Sequence, residues 1–131
     1  MAEVQPGVCG GRALVIEDDA AIRRLVEKIL KRENFEVAMA SDGREGLELL
    51  KSDHYDVVVL DLMIPELDGF AIIDYMKNAH LTTPVAVVSA VSQQALSRLD
   101  LDVVKVVISK PFDLDEFAKA IIGLCRDART S

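Results

Sequence analysis

The chain has little positive charge and no membrane-length apolar run, and each absence excludes a class of protein. Its 131 residues include 15 Lys and Arg against 22 Asp and Glu, which gives a formal net charge of −7. No basic stripe is available to neutralise nucleic-acid phosphates, so we expect no direct nucleic-acid partner. The apolar runs are too short to span a membrane, and the first residues are too polar for a signal peptide. We therefore expect a cytoplasmic protein with no membrane partner.

Two further absences concern cysteine and glycine motifs. Cys9 and Cys125 have no CxxC spacing, which predicts free thiols in a reducing compartment. Gly10 and Gly11 precede a strand-like run, but the phosphate-loop pattern G-x-x-x-x-G-K-[ST] is missing. The composition that remains, 50% hydrophobic and 28% charged, is typical of one folded domain.

The sequence predicts a flexible tail over residues 1–11, which contains Pro and three Gly, and one domain over residues 12–131. Short runs rich in Val or Ile indicate strands. The last three runs lack strict alternation, which favours strands covered on both faces of a parallel sheet. The predicted strands lie at 13–16, 37–40, 57–60, 85–88 and 103–108.

Segments with helical periodicity or start signals follow each of these runs. We predict helices within 18–33, 41–52, 69–79, 92–100 and 113–128. The alternation of strand and helix predicts an α/β fold with right-handed crossovers. We expect a flavodoxin-like, doubly wound (βα)5 arrangement, whose five-stranded parallel sheet has the order 2-1-3-4-5.

Polar residues follow the predicted strands at their carboxyl ends. Glu17 and Asp18 follow the first strand, Asp61 the third, Ser89 the fourth and Lys110 the fifth. In such sheets ligands bind beyond these ends, at the switch point between strands one and three. Three carboxylates that meet there repel each other unless they hold protons or a cation. Mg²⁺ suits the site, because it needs only one or two carboxylates and keeps several waters.

Asp61 interrupts the apolar stretch DVVVLDLMIPELDG, where an unpaired buried charge would be costly. An Asp carboxylate can accept a phosphoryl group covalently. Phosphoryl transfer needs little beyond positioning and neutralisation of charge. A metal ion, the Lys110 ammonium and the Ser89 hydroxyl could supply these, so the pattern indicates a phosphoacceptor site.

Around these residues the sequence closely resembles the receiver domain of two-component (phosphorelay) response regulators, from residue 12 to about residue 126. LVIEDDAAIRRLV resembles the acidic-pair segment of the family. DLMIPELDG matches the phosphoacceptor pattern D-x-x-x-P-x-x-x-G, with Asp61, Pro65 and Gly69. Ser89 with Ala90 matches the hydroxyl position, and SKPF matches the lysine segment. The resemblance is specific because four segments occur in the order that the family has.

The resemblance implies a phosphoacceptor signalling domain that catalyses only its own phosphorylation and dephosphorylation. Asp61 would take a phosphoryl group from a sensor histidine kinase or a histidine phosphotransfer protein, and the reaction would switch protein–protein interactions. Mg²⁺, or Mn²⁺, would be bound by Asp18, Asp61 and the backbone carbonyl of Met63. Glu17 would act through a metal-bound water.

The same resemblance assigns roles to the two remaining polar residues. Lys110 would pair with Asp61 and then with a phosphoryl oxygen. Ser89 would move to hydrogen-bond another phosphoryl oxygen and draw the following loop with it. The Lys110–Pro111 peptide bond is implied to be cis.

The sequence departs from the family pattern at Val107 and in one turn, and two apolar residues also bear on dephosphorylation. Val107 stands three residues before Lys110, where Tyr or Phe is usual, so we predict that the aromatic switch of the family does not operate. The segment LDLDVVKVV also lacks the usual Gly-Ala turn. Met63 and Val91 are apolar at positions that help to place the hydrolytic water in the family. We therefore predict slow self-dephosphorylation.

Several other charged residues are predicted to have no role in the site. Asp19 is interpreted as a helix cap or first-turn acid, and Glu66 and Asp68 as solvated loop acids. His54 and His80 lack partners at ligand spacing and are predicted to lie on the surface.

Two other function classes stay open. The domain could be a receiver-like interaction module that works without phosphorylation. It could also be a phosphohydrolase with an aspartyl nucleophile. Such enzymes have a D-x-D motif, however, and Met63 occupies the position of its second Asp. The sequence determines neither the cognate kinase nor the downstream target. It also leaves open a homodimer and whether the domain stands alone or belongs to a larger regulator.

Overall fold

A five-stranded parallel sheet with helices on both faces forms the molecule, as expected for a doubly wound α/β domain. The computed structural model describes residues 10–64, 66–90 and 93–130, with the backbone alone at 93, 95 and 125–130. The elements are β1 (Gly11–Ile16), α1 (Ala20–Arg32), β2 (Phe35–Ala40), α2 (Gly43–Ser52), β3 (Val57–Leu60), α3 (Gly69–Asn78), β4 (Val85–Ser89), α4 (Gln93–Leu96), β5 (Val104–Ser109) and α5 (Leu114–Thr130).

The strand order β2-β1-β3-β4-β5 confirms the predicted topology and its switch point between β1 and β3. Ile16, the last residue of β1, lies opposite Ala40 of β2 and Leu60 of β3. The strand β1 begins two residues before the predicted run 13–16, because Gly11 already pairs with Phe35. Most of the predicted tail lies outside the described residues, as do Cys9, Pro65, Val91 and the side chain of Cys125.

The sheet divides the hydrophobic core into two layers. The layer under α2 and α3 includes the buried side chains of Leu50, Ile72 and Met76. The opposite layer, under α1 and α5, includes Leu30 and Phe117. Every residue of β3 and β4 is buried, which confirms for these two strands the prediction that both faces are covered. No helix in the described ranges is long and apolar enough to cross a bilayer.

The same prediction is wrong for β5. Its residues alternate in exposure, with Lys105 and Val107 exposed and Ile108 buried. The physical reason is its place at the edge of the sheet, where only β4 pairs with it and α4 is a single turn of four residues. The fourth helix lies within the predicted segment 92–100 but fills only part of it, since α4 ends at Leu96.

Helix starts are fixed by aspartates whose side chains accept hydrogen bonds from the first-turn amides. Asp19 caps α1, Asp42 caps α2 and Asp113 accepts from the first turn of α5. Asp68 does the same for α3, where its Oδ1 lies 3.0 Å from the amide nitrogen of Ala71. Asp68 is therefore exposed, as the sequence predicted, and has in addition a capping role that the sequence reasoning did not assign.

The turn before β5 is organised by an aspartate instead of the usual Gly-Ala pair. The Oδ1 of Asp100 accepts from the amide of Asp102 at 2.9 Å, and its carbonyl accepts from the amides of Val103 and Val104. Its other carboxylate oxygen pairs with the ammonium of Lys77 on α3. These bonds anchor the α4–β5 connection to α3 without a glycine.

Candidate functional site

Backbone hydrogen bonds continue past the strand ends and place the predicted site residues side by side. The Glu17 amide donates to the Ala40 carbonyl, and the Asp61 amide donates to the Ile16 carbonyl, both at 3.0 Å. On the other side, the Lys110 amide donates to the Ser89 carbonyl at 3.0 Å. The register of the sheet therefore determines where the two acids and the lysine lie.

Asp61 lies at the centre of the site, and its side chain is nearly buried. Its Oδ1 accepts from the backbone amide of Met63 at 3.0 Å and from the hydroxyl of Ser89 at 3.1 Å. Its Oδ2 accepts from the ammonium of Lys110 at 2.9 Å. Each carboxylate oxygen is thus engaged, which offsets the desolvation of a buried charge.

Lys110 bridges the two buried carboxylates of the site. Its Nζ lies 2.9 Å from Glu17 Oε1 and 2.9 Å from Asp61 Oδ2. Burial alone would lower the pKa of Lys110, but the hydrogen bonds to Glu17 and Asp61 outweigh it and raise the pKa. The ammonium is therefore charged at neutral pH and neutralises part of the acidic cluster.

Glu17 is a buried carboxyl whose partners compensate its desolvation only in part. Burial raises the pKa of its carboxyl to about 7, although the bonds from Lys110 and from the Asp19 amide act in the opposite direction. The nearby Asp61 carboxylate raises the pKa further. The site therefore has more negative charge than Lys110 can neutralise.

Asp18 completes the acidic cluster from an exposed position. One carboxylate oxygen from each of Glu17, Asp18 and Asp61 lies within 4.8 Å of the other two. An all-oxygen set with excess negative charge, partly open to solvent, fits a hard divalent cation such as Mg²⁺ or Mn²⁺. These are the three carboxylates that the sequence placed together.

Arg23 is a site residue that the sequence reasoning missed. Its Nη1 donates to the carbonyl oxygen of Glu17 at 2.7 Å, and the carbonyl oxygen of Asp18 lies 3.4 Å away. The acceptors are backbone atoms, which every residue has, so no residue pattern signals the contact.

Gly69 ends the phosphoacceptor pattern for a steric reason. A Cβ at this position would lie 2.7 Å from the Cα of Leu62 and 2.9 Å from the carbonyl oxygen of Asp61. The Gly69 amide also donates to the Leu62 carbonyl at 3.0 Å. The first turn of α3 therefore packs directly on the backbone that follows the acceptor.

Two residues singled out by the resemblance have exposed side chains. The backbone amide of Met63 donates to Asp61 Oδ1, while Met63 is 68% exposed. Val107 pairs with Val87 inside the sheet and is 37% exposed. The Lys110–Pro111 peptide bond is cis, as implied.

A shallow apolar groove of about 310 Å³ adjoins Lys110 on the α1 side of the site. Its lining comes from partly buried residues of α1 and from the segments that follow β4 and β5. The lining residues are Ile22, Leu25, Ala90, Lys110, Pro111 and Phe112.

Comparison with known proteins gives consistent matches. Residues 13–122 match the family model described as response regulator receiver domain. Transcriptional regulatory protein DltR of Streptococcus agalactiae is 35% identical over 112 residues, which cover 84% of this chain and 50% of that protein. The chain spans about half the length of the curated relatives it matches.

Solved structures match over almost the whole chain. The receiver domain of the Francisella response regulator 1452 has a TM-score of 0.82 and 28% identity, and the match covers 93% of this chain and 100% of that one. Response regulator protein TrrA from Thermotoga maritima, solved in complex with Mg²⁺ and BeF, has a TM-score of 0.76 and 26% identity. That match covers 86% of this chain and 97% of the TrrA chain.

Proposed function

Because this chain belongs to the family of response regulator receiver domains, we propose that it accepts a phosphoryl group on Asp61 and thereby switches protein–protein interactions. One observation supports the choice of Asp61 above all others. Its buried carboxylate receives hydrogen bonds from Ser89 and Lys110 and lies in a cluster with Glu17 and Asp18. An ammonium and a hydroxyl donor are thus each within hydrogen-bond reach of the proposed nucleophile.

The proposed transfer takes the phosphoryl group from a phosphohistidine of a sensor kinase or phosphotransfer protein. An oxygen of Asp61 attacks phosphorus and the histidine N–P bond breaks, while the electron pair stays on the imidazole nitrogen, which takes up a proton. Lys110, already 2.9 Å from Asp61 Oδ2, donates to a phosphoryl oxygen, and Ser89 donates to another. Both donors stabilise the negative charge on the phosphoryl group.

A divalent metal ion fits the acidic side of the site. We propose that Asp18, Asp61 and the Met63 carbonyl hold Mg²⁺ or Mn²⁺, with Glu17 acting through a water. When bound, the ion would neutralise charge on the phosphoryl oxygens. The excess of three carboxylates over one ammonium supports this assignment. The similar TrrA protein, whose structure was solved in complex with Mg²⁺ and BeF, adds support.

The apolar groove beside Lys110 offers a contact surface to the phosphodonor, since it opens next to the acceptor.

We propose a cytoplasmic location, where such kinases phosphorylate their partners. We also expected no nucleic-acid partner. This expectation gains no support for the whole protein, because the relatives include transcriptional regulators that are about twice as long as the matched region. The identity of the downstream partner and the existence of a homodimer are left undetermined.

The test is phosphorylation by a small phosphodonor, followed by intact-mass measurement. We expect that the chain incubated with Mg²⁺ and acetyl phosphate gains the mass of one phosphoryl group, and that Asp61→Asn abolishes the gain. Asp102→Asn, at an exposed acid away from the cluster, is the matched control and should be phosphorylated normally.

Other outcomes of this experiment would favour the alternatives. A wild-type chain that gains no mass while it still binds Mg²⁺ would support the phosphorylation-independent module. Steady release of phosphate from a phosphate ester would support the hydrolase. The exposed thioether of Met63, where such a hydrolase has its second Asp, offers no proton to a leaving group.

Val107 replaces the aromatic switch residue of the family, and the conformational response of this chain to phosphorylation can therefore be tested directly. We predict that Ser89 and its loop shift on phosphorylation, although Val107 cannot swing as a ring does. A structure determined with beryllofluoride should show the Ser89 hydroxyl on the phosphoryl mimic, both in the wild type and in Val107→Ala. An unmoved Ser89 and loop would contradict the prediction.

A further inference from the structure

We propose that Arg23 is a positioning residue, which fixes the backbone of Glu17 and Asp18 so that their carboxylates can hold the metal ion. The inference rests on the proposed function, because it concerns the same acidic site. Arg23 lies in the first turn of α1, and its guanidinium reaches back over the preceding loop. Its Nη1 is 2.7 Å from the Glu17 carbonyl oxygen and 3.4 Å from that of Asp18.

The loop that carries the acids is held by three kinds of hydrogen bond. The amide of Asp19 donates to Glu17 Oε2 at 3.1 Å, and the Asp19 side chain caps α1. The amide of Arg23 donates to the Asp19 carbonyl at 2.9 Å as part of the helix. The guanidinium then ties the helix back to the carbonyls of residues 17 and 18. Removing the guanidinium therefore frees these two carbonyls from α1 while the helix keeps its cap.

The contacts of Arg23 distinguish positioning from charge neutralisation. The short ion pairs of the site join Lys110 to Glu17 and Asp61, whereas the hydrogen bonds of the Arg23 side chain go to backbone carbonyls. The two roles predict opposite effects of removing Arg23. If its charge mattered most, the site would become more negative and would bind Mg²⁺ more tightly. If positioning matters most, Mg²⁺ binding weakens.

The experiment is calorimetric titration of the full chain with Mg²⁺. We expect Arg23→Ala to weaken Mg²⁺ binding about tenfold, in the range found when groups that orient metal ligands are removed. Arg23→Lys, which keeps the charge and a donor, should recover part of the loss. Arg24→Ala is the matched control, because Arg24 is the exposed neighbour with the same charge, and it should not weaken binding.

A second measurement separates positioning from a merely structural role. With acetyl phosphate, Arg23→Ala should need more Mg²⁺ for half-maximal phosphorylation but reach the wild-type rate at saturating Mg²⁺. Urea denaturation in EDTA identifies variants that are folded, and Arg23→Gln replaces Arg23→Ala if the latter does not fold. An equal or tighter Mg²⁺ affinity in the folded variant, or a loss of rate that saturating Mg²⁺ does not restore, would overturn the inference. A wild-type chain that does not bind Mg²⁺ would instead contradict the metal site itself.

Discussion

Lys110 connects two carboxylates that would otherwise repel each other in a buried place. Its ammonium lies 2.9 Å from an oxygen of Glu17 and 2.9 Å from an oxygen of Asp61. Phosphorylation of Asp61 would add negative charge close to the Lys110 ammonium. Lys110 can then bind the phosphoryl group and still keep its ion pair with Glu17. A single flexible cation can therefore serve both forms of the acceptor.

Met63 gives a prediction about the lifetime of the phosphoryl group. Its side chain is 68% exposed, so a substitution there leaves the core unchanged. A thioether is too weak an acceptor to orient water, whereas an amide can hold a water in line with the acyl phosphate. We expect Met63→Asn to shorten the lifetime of phospho-Asp61 about tenfold, as measured by loss of the added mass over time.

Met63→Leu is the control for this prediction and should keep the wild-type lifetime. A wild-type lifetime of seconds would contradict the slow dephosphorylation predicted from Met63 and Val91. Equal lifetimes in Met63→Asn and Met63→Leu would show that position 63 does not control access of water.

The site residues that stand at strand ends could be found from the sequence, whereas Arg23 and the capping role of Asp68 could not. Asp61 and Lys110 stand at strand ends, where the sheet order brings them together. Arg23 binds two carbonyls, and Asp68 caps α3 from a loop rich in acids, so neither has a distinctive sequence context. The backbone partners of Arg23 and Asp68 become visible only when the loop geometry is known.

Among the elements, α2 and the β3–α3 loop are in unusually close contact. A Cβ on Gly43, the first residue of α2, would lie 1.6 Å from the carbonyl oxygen of Leu67. The obstacle is backbone, which cannot rotate away as a side chain can. The loop that follows Asp61 is thus in direct contact with α2, which also packs against β1 and β2.

This contact predicts opposite effects for two glycine substitutions. Gly43→Ala should lower the free energy of unfolding by about 3 kcal/mol, because the added methyl group forces backbone apart. Gly123→Ala, in α5, meets nothing within 4 Å and should raise it by up to about 1 kcal/mol through helix propensity. Urea denaturation of both variants measures the difference. Equal stabilities would mean that the loop shifts freely to admit a methyl group.

Element boundaries were predicted best where both faces of a strand are covered. The predicted bounds of β3 are those observed, because four consecutive apolar residues fill both core layers. At the sheet edges the prediction fails by one or two residues. The strand β2 begins at Phe35, since the exposed Glu36 interrupts the apolar run on which the prediction relied. Exposed edge positions accept polar residues, so composition alone cannot locate the ends.

For the whole molecule, the acidic cluster couples metal binding to stability. An ion that binds only the folded chain stabilises it by RT ln(1 + [L]/Kd), which is about 2.7 kcal/mol at one hundred times Kd. We expect Mg²⁺ at that level to raise the melting temperature and EDTA to reverse the effect. Scanning calorimetry with and without Mg²⁺ measures it.

Asp18→Asn tests whether the effect comes from the proposed site. Asp18 is exposed, so the variant should fold, but its response to Mg²⁺ should be largely lost. Asp102→Asn should respond like the wild type. An undiminished response in Asp18→Asn would mean that the stabilising ion binds elsewhere.

The strand order also determines when the sheet can assemble during synthesis. Ile16, at the end of the central strand β1, has partners at Ala40 and Leu60, and each ladder joins strands that are separated by a helix or a long segment. All strand pairs in the described part of the chain are parallel, so each of these ladders must first close a long loop, which slows folding. A nascent chain leaving the ribosome therefore carries an unpaired edge on β1 until residue 60 has emerged. Its exposure to aggregation and its need for chaperones are greatest in that interval.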